Sequence, residues 1–428
     1  MLWRILALSG VGCVALLAAI GGTWLFLLPG SPARETAPAI SKDETEATLA
    51  ALRPPKRERP LIAVVGINDM SETTDYLMPY GILARADVAD VLTLGTQPGP
   101  VALYPALKVQ PHATTAEFDA LHPSGADYVI VPAMSREDDA VALQWIKSQA
   151  GKSAIIIGVC VGAKVVANTG LLDGRQATTH WYSVRDLQKH SAIRYVADRR
   201  LVVDRGVATT TGITASMPMA LILVEAIAGR AKAEAVARDI GLAQWDARHR
   251  SEAFQFTRPF ALTAITNTLA FWNREQLGIA LTPGIDEVSL ALIADAWSRT
   301  YRSRALTFAT TAEAQTSRGG LRILPDKVAA DWPAKLTPPP AADLPPTCRR
   351  RERWIRRCTP SMRVTGRARP TSSRCSSNTR DNGTPVRRLQ QPTHRICAER
   401  RYGVARCHAP FRKPSPVMSP GFWSLAKV

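Results

Sequence analysis

Gly158-Val159-Cys160-Val161-Gly162 is the segment of this 428-residue chain whose residue types and spacing could do chemistry. Glycine, one residue, nucleophile, one residue, glycine lets a chain turn sharply from a strand into a helix and lift the central side chain above a sheet. A thiol there faces the first turn of the following helix, whose dipole favours the thiolate. The expectation is an exposed, acidified nucleophile. The alternative for the same residue is a small buried hydrophobe, the usual fate of a free cysteine. Five of the seven cysteines (Cys348, Cys358, Cys375, Cys397, Cys407) lie beyond residue 347, leaving Cys13 and Cys160 before it. That distribution excludes a disulfide framework, and no Cys/His grouping has zinc-site spacing, so neither a metal nor another cofactor is expected.

A turn of this kind needs a parallel sheet to hold it. From Leu61 onward, short apolar runs alternate with amphipathic stretches. The pattern predicts strands at 61–67, 88–94, 127–133 and 153–160, helices at 74–85, 114–121, 137–149 and 161–169, and a small hairpin at 100–111. Near-continuous apolar strands separated by helices indicate a flavodoxin-like α/β fold, a parallel sheet with helices on both faces. Ligands of such sheets sit beyond the carboxyl ends of the strands, and this reading makes Cys160 the last residue of a central strand.

The segments GVCVGAKVVANTGLLDGRQATTHW (158–181) and ATTTGITASMPMALILVEAIAG (208–229) resemble the ThiJ/PfpI superfamily, the class I glutamine amidotransferase-like fold. The closer likeness is to its isocyanide-hydratase and regulator-like branch. Gly170–Trp181 and Thr211–Ser216 carry it almost letter for letter, and it extends over about 61–230. The resemblance implies that Cys160 is the elbow nucleophile. It implies that Asp75, in TTDYLMPYGIL, is the acid that meets the cysteine and orders its proton, and that His180 is a histidine near the thiol. Read alone, Asp75 is equally a helix N-terminal residue and His180 a structural one. Two departures stand out. Val161 occupies a place where active relatives often carry His or Thr, and Pro132-Ala133-Met134 replaces a Gly-Gly that brings backbone N–H groups to the reacting carbon. What the resemblance implies is a small-molecule site of cysteine-dependent hydratase, glyoxalase-like or hydrolase type, with a non-enzymatic ligand-sensing or regulatory module as the alternative. A homodimer is compatible with it.

The rest of the chain frames this domain. Ile5–Leu28 is uncharged and, as a helix, would span roughly 36 Å, enough for a hydrocarbon core of about 30 Å. It predicts a single-pass membrane anchor at 1–28, with a cleaved signal peptide as the alternative, and Arg4 on the short side places the body on the extracytoplasmic face. Residues 29–60 read as a flexible tether. After 231–275, expected to be a helical connector, a second α/β copy begins at 276–334. At a shift of 214 residues Val91–Thr96 lies over Ala305–Thr310 and Leu107–Pro111 over Leu321–Pro325. LGIALTPGIDEVSLALIADAW (277–297) then repeats the first strand and helix, with Asp286 near the Asp75 place after a gap of three. This copy has no elbow, so it is incomplete. The formal charge of +18 is confined to the end of the chain. Residues 348–428 hold 20 Lys/Arg against 3 Asp/Glu, and the remainder, 34 against 33, is neutral, which argues against nucleic acid as a partner of the body. Such a composition places 335–428 in the disordered class and suggests out-of-frame translation, with a nucleic-acid- or anionic-membrane-binding arm or a solvated tail without a role as the alternatives.

Overall fold

The computed structural model describes residues 2–33 and 35–331. The basic tail, 335–428, lies outside them.

The first helix, α1 (Leu2–Leu27), contains the apolar stretch Ser9–Leu27, with a mean hydropathy of 2.0 and none of it buried. Next comes α2 (Lys42–Ala51), capped by the Ser41 hydroxyl, which accepts from Glu44 N at 3.0 Å. This helix corrects the expected flexible tether. The Glu44 carboxylate pairs with Arg199, and Leu52, 1% exposed, is part of the core. The Tyr128 hydroxyl donates to Leu52 O at 2.7 Å, and Arg57 pairs with the fully buried Asp127. Segment 42–60 therefore folds onto the body, because it carries buried partners that a solvated linker lacks.

The body then follows the predicted alternation. In chain order it runs β1 (Leu61–Gly66), β2 (Ser71–Glu72), α3 (Thr73–Ala86), β3 (Asp90–Gly95), β4 (Val101–Tyr104), β5 (Lys108–Gln110), β6 (Ala113–Thr114), α4 (Thr115–Leu121), β7 (Tyr128–Val131), α5 (Ala140–Gly151), β8 (Ile155–Gly158) and α6 (Gly162–Asn168). Thr114 and Glu117 close a capping box at the start of α4, as a T-x-x-E spacing allows. The short β9 (Gln176–Ala177) and β10 (Arg194–Tyr195) pair with each other, with α7 (Val184–Leu187) between them. β11 (Leu201–Asp204), β12 (Val207–Thr210), α8 (Ser216–Ala228) and α9 (Arg230–Asp239) complete the unit.

The main sheet has the order β11-β12-β8-β7-β1-β3-β6. All its neighbours are parallel except β11 and β12, which form an antiparallel edge. The central strands β1, β7 and β8 are buried along their whole length, which is why they read as unbroken apolar runs. The expected hairpin at 100–111 is β4–β5.

Beyond α10 (Arg258–Leu269), a second set of elements follows: β13 (Glu275–Ala280), α11 (Glu287–Ser298), β14 (Ser303–Ala309), β15 (Gln315–Thr316), β16 (Arg322–Leu324) and β17 (Lys327–Val328). β13-β14-β17 form a separate parallel sheet. β15 and β16 join the first unit's β5, β4 and β2 in a five-stranded sheet that spans both. α11 packs along α3.

Candidate functional site

The elbow forms two residues beyond the strand. β8 ends at Gly158, so Cys160 belongs to the turn and not to the strand as expected. Its φ of 60° is left-handed backbone, which a non-glycine residue adopts only when its surroundings impose it, at a cost of about 1–3 kcal/mol. What imposes it is visible. Cys160 N donates to Thr210 Oγ1 at 3.4 Å, and Thr179 Oγ1 donates to Cys160 O at 3.0 Å. Gly162 lets α6 come down onto the end of β7, where a methyl group would lie 2.0 Å from Val131 O.

The thiol corrects the sequence expectation. Cys160 is 3% exposed, because Gly212, at φ 87°, brings its backbone against it; a Cβ there would meet Cys160 Sγ at 2.5 Å. Burial pushes the thiol well above its ordinary pKa, the nearby Asp75 and Glu72 carboxyls push the same way, and the Val161 N–H and the Arg299 charge oppose them. The helix dipole was expected to win. However, α6 is a seven-residue helix, and a dipole contribution of about 0.3–1 kcal/mol is smaller than the desolvation of a fully buried anion, which can reach 3–5 pKa units.

Asp75 is near enough to Cys160 for its charge to act on the thiol. It is fully buried in the first turn of α3, but the cap of that helix is Glu72, whose carboxylate accepts from Asp75 N at 2.7 Å. Asp75 is thus released from capping. Its Oδ2 accepts from Ala133 N and its Oδ1 from Ser216 Oγ, both at 3.3 Å. Burial and the adjacent Glu72 hold the Asp75 carboxyl well above the usual carboxylate range, while the hydrogen bonds from Ala133 N–H and Ser216 act against them. The Ala133 N–H, which follows the Pro132 that ends the β7 segment, is engaged by this carboxyl group.

His180 follows Thr179, with its ring 5.5 Å from that of Trp181. Burial, together with the charges of Arg299 and His249, pushes it down to about 3, so it is a neutral imidazole at physiological pH. It can therefore supply no cation to pair with a thiolate.

Three site residues escaped the sequence reading. Glu72 receives Thr74 Oγ1 at 2.7 Å on Oε2 and Arg299 Nη2 at 2.6 Å on Oε1. Ser216 contacts Asp75, and Arg299 arrives from beyond α11, more than 130 residues after the elbow. Glu72 was legible: it lies 214 residues before Asp286, so the repeat needs no gap at this point. Asp286 is the N-cap of α11 as Glu72 is the N-cap of α3. Among the described residues, no group of three His, Cys, Asp or Glu side chains could hold a metal ion.

A parallel sheet covered on both faces, with a cysteine in a left-handed turn between β8 and α6 and a buried acid from α3 near it, defines a class of α/β proteins built around a strand-to-helix elbow. Within that class, the chain belongs to the DJ-1/PfpI family, whose model matches residues 62–226. It is 33% identical over 159 residues to an isonitrile hydratase of Pseudomonas putida, a match covering 36% of this chain and 67% of the relative. It is 32% identical over 82 residues to the HTH-type transcriptional regulator CdhR of Pseudomonas aeruginosa, covering 19% of this chain and 24% of the relative. The chain thus spans about a quarter of that regulator's length. Among solved structures, Drosophila melanogaster DJ-1beta matches 44% of this chain and 100% of its own at 20% identity and a TM-score of 0.40.

Proposed function

We propose that the domain at 61–230 binds a small neutral molecule with an electrophilic carbon at Cys160 and Asp75 and adds water across it, an isonitrile being the model substrate. The observation that carries this reading is geometric: Cys160 and Asp75 are both buried beyond the carboxyl ends of the strands, Cys160 two residues after β8 and Asp75 held by the Ala133 N–H two residues after β7 and by Ser216. A neutral pair can exchange protons with a substrate without separating charge in a dry site. Sγ bonds to the isonitrile carbon while the Asp75 carboxyl gives that carbon its proton and takes the thiol proton in return. The product of this step is R–N=CH–S–Cys160. Water then adds to the same carbon, the C–S bond breaks, and the thiol is restored as R–NH–CHO leaves. Purified full-length protein should convert an alkyl isonitrile to the N-alkylformamide, and Cys160→Ala should lose at least about a hundredfold of that rate. Formamide production unaltered in Cys160→Ala would sink the covalent role.

A ligand-sensing module is the second reading, and one observation favours it. The Ala133 N–H donates to Asp75, so it is engaged where a reacting oxygen would need it. Isonitrile binding without turnover by the wild-type protein would select this reading.

The membrane belongs to the proposal as well. We read α1 as a single-pass anchor with the body on the extracytoplasmic side. Arg258 supports a fixed exit from the bilayer, because its backbone N–H donates to Pro29 O at 2.9 Å and its guanidinium to Leu28 O at 3.1 Å. Exposed Leu262, Ile265 and Leu269 of α10, with Phe271 and Trp272 after it, offer apolar surface on the element that receives α1. Protease added to cells stripped of any outer barrier should cleave the body while α1 stays with the membrane. Full protection of the body would overturn the orientation.

A further inference from the structure

The second set of elements meets the first with a reciprocity that chance packing does not produce. Across the seam, Lys108 pairs with Leu324, Val109 with Ile323 and Gln110 with Arg322. At the 214-residue shift, Lys108 corresponds to Arg322, Val109 to Ile323 and Gln110 to Leu324. Each strand of the pair is therefore matched to the reverse of its own counterpart, with Val109 and Ile323 facing at the centre. The same exchange holds for the charges. Arg85 pairs with Asp286 and Arg299 with Glu72, while Arg85 corresponds to Arg299 and Glu72 to Asp286. The N-caps of α3 and α11 are thus each bound by the arginine from the end of the other helix. Finer features also recur at this shift. Thr93 exchanges hydrogen bonds with His112 as Thr307 does with Asp326, and the positive φ of Asp87 returns at Tyr301. A contact in which i meets the copy of j and j meets the copy of i is the signature of an isologous two-fold interface.

We propose that residues 275–331 are a built-in second subunit: they occupy, about a pseudo-two-fold axis through Val109 and Ile323, the face on which another copy of this chain would dock, and they deliver Arg299 as a positioning residue to the Glu72–Asp75 pair beside Cys160. The covered face needs no second chain. Arg299 is half-buried, lies 2.6 Å from Glu72 and 2.5 Å from Asp295, and stacks over Tyr104 at 5.4 Å. Tyr104 and Glu72 belong to the first unit, and Asp295 to the second. The guanidinium therefore joins the two units where α3 begins. On the other side of the axis, Arg85 meets Asp286, but among the described residues no elbow stands behind it. Only one of the two pseudo-equivalent arginines serves a cysteine.

The consequences separate this role from simple docking. The charge on Arg299 opposes the effect of the carboxyls on the thiol, so its removal should slow thiolate formation at Cys160. The test uses the full chain in detergent, with alkylation of the Cys160 peptide by iodoacetamide followed by mass spectrometry across pH. Arg299→Met should reduce the rate at pH 9 by about threefold or more and move the midpoint upward. Arg299→Lys, which keeps the charge, should restore most of the wild-type profile. Native mass spectrometry should find one chain per particle. An unchanged profile in Arg299→Met with the wild-type melting temperature would overturn the positioning role. A profile in Arg299→Lys as displaced as in Arg299→Met would do the same. Stable two-chain particles would overturn the built-in subunit. None of these readouts requires turnover, so failure of the hydratase reading would leave them interpretable.

Discussion

Iodoacetamide should alkylate Cys160 at pH 7 on the order of tenfold or more slowly than it alkylates free cysteine, and unfolding in urea should abolish the difference. Two independent causes act together. The side chain is 3% exposed, so the reagent has little access, and the thiolate that must attack is disfavoured by burial and by Asp75 and Glu72. The midpoint of alkylation should lie above that of free cysteine, about 8.5. Asp75→Asn should lower it, because the Asp75 carboxyl, once it ionises at higher pH, is one of the groups that oppose the thiolate. A midpoint below that of free cysteine would show that the turn is open in solution and that the elbow dipole prevails after all. The same carboxyl group leaves a mark on stability. Its folded pKa is raised above its unfolded value of about 3.9, so the native state holds the proton more tightly. The resulting stabilisation is complete below that unfolded value and is lost as pH rises through the folded one. Wild type should therefore lose melting temperature from pH 5 to pH 8 to a greater extent than Asp75→Asn does.

Gly162→Ala should prevent folding of the body or cost on the order of 3 kcal/mol or more. The new Cβ would sit 2.0 Å from Val131 O and 2.9 Å from the Pro132 carbonyl carbon and oxygen. All three are backbone atoms at the end of a central strand, with no rotamer to yield. Relief requires α6 to lift away from β7, which pulls Cys160 from under Gly212 and from its hydrogen bond to Thr210. Gly151→Ala, at the last position of α5 where nothing lies within 4 Å, is the matched control and should be neutral or slightly stabilising. Equal melting temperatures for both variants, read by circular dichroism, would refute the claim that close approach at the elbow demands glycine.

Local pattern made much of this molecule legible. The alternation of buried strands with amphipathic helices depends on periodicity, and periodicity is written into consecutive residues. The hairpin at β4–β5, the capping box at Thr114 and the glycines around Cys160 are likewise short-range signals. The 214-residue shift was visible too, although placing Asp286 against Asp75 rather than Glu72 hid the carboxyl that caps α3. The apolar run at Ile5–Leu28 announced a helix of membrane length.

What the sequence could not determine was the environment that assembles around those residues. Whether a thiol at an elbow is acidic depends on the balance between a short helix's dipole and the water it keeps. That water is displaced by Gly212, which follows Cys160 by more than fifty residues. The upward shift of the Asp75 carboxyl comes from its burial and from Glu72 beside it, against the hydrogen bonds from Ala133 N–H and Ser216. The folding of 42–60 onto the body depends on Leu52, which accepts from the Tyr128 hydroxyl, and on Arg57, which pairs with buried Asp127, contacts made only once β7 is in place. Arg299 reaches Glu72 because α11 packs along α3, a relation between surfaces that spacing along the chain does not encode. The elements follow from nearest neighbours in sequence; the charge state of the site follows from desolvation, which only the packed tertiary structure decides.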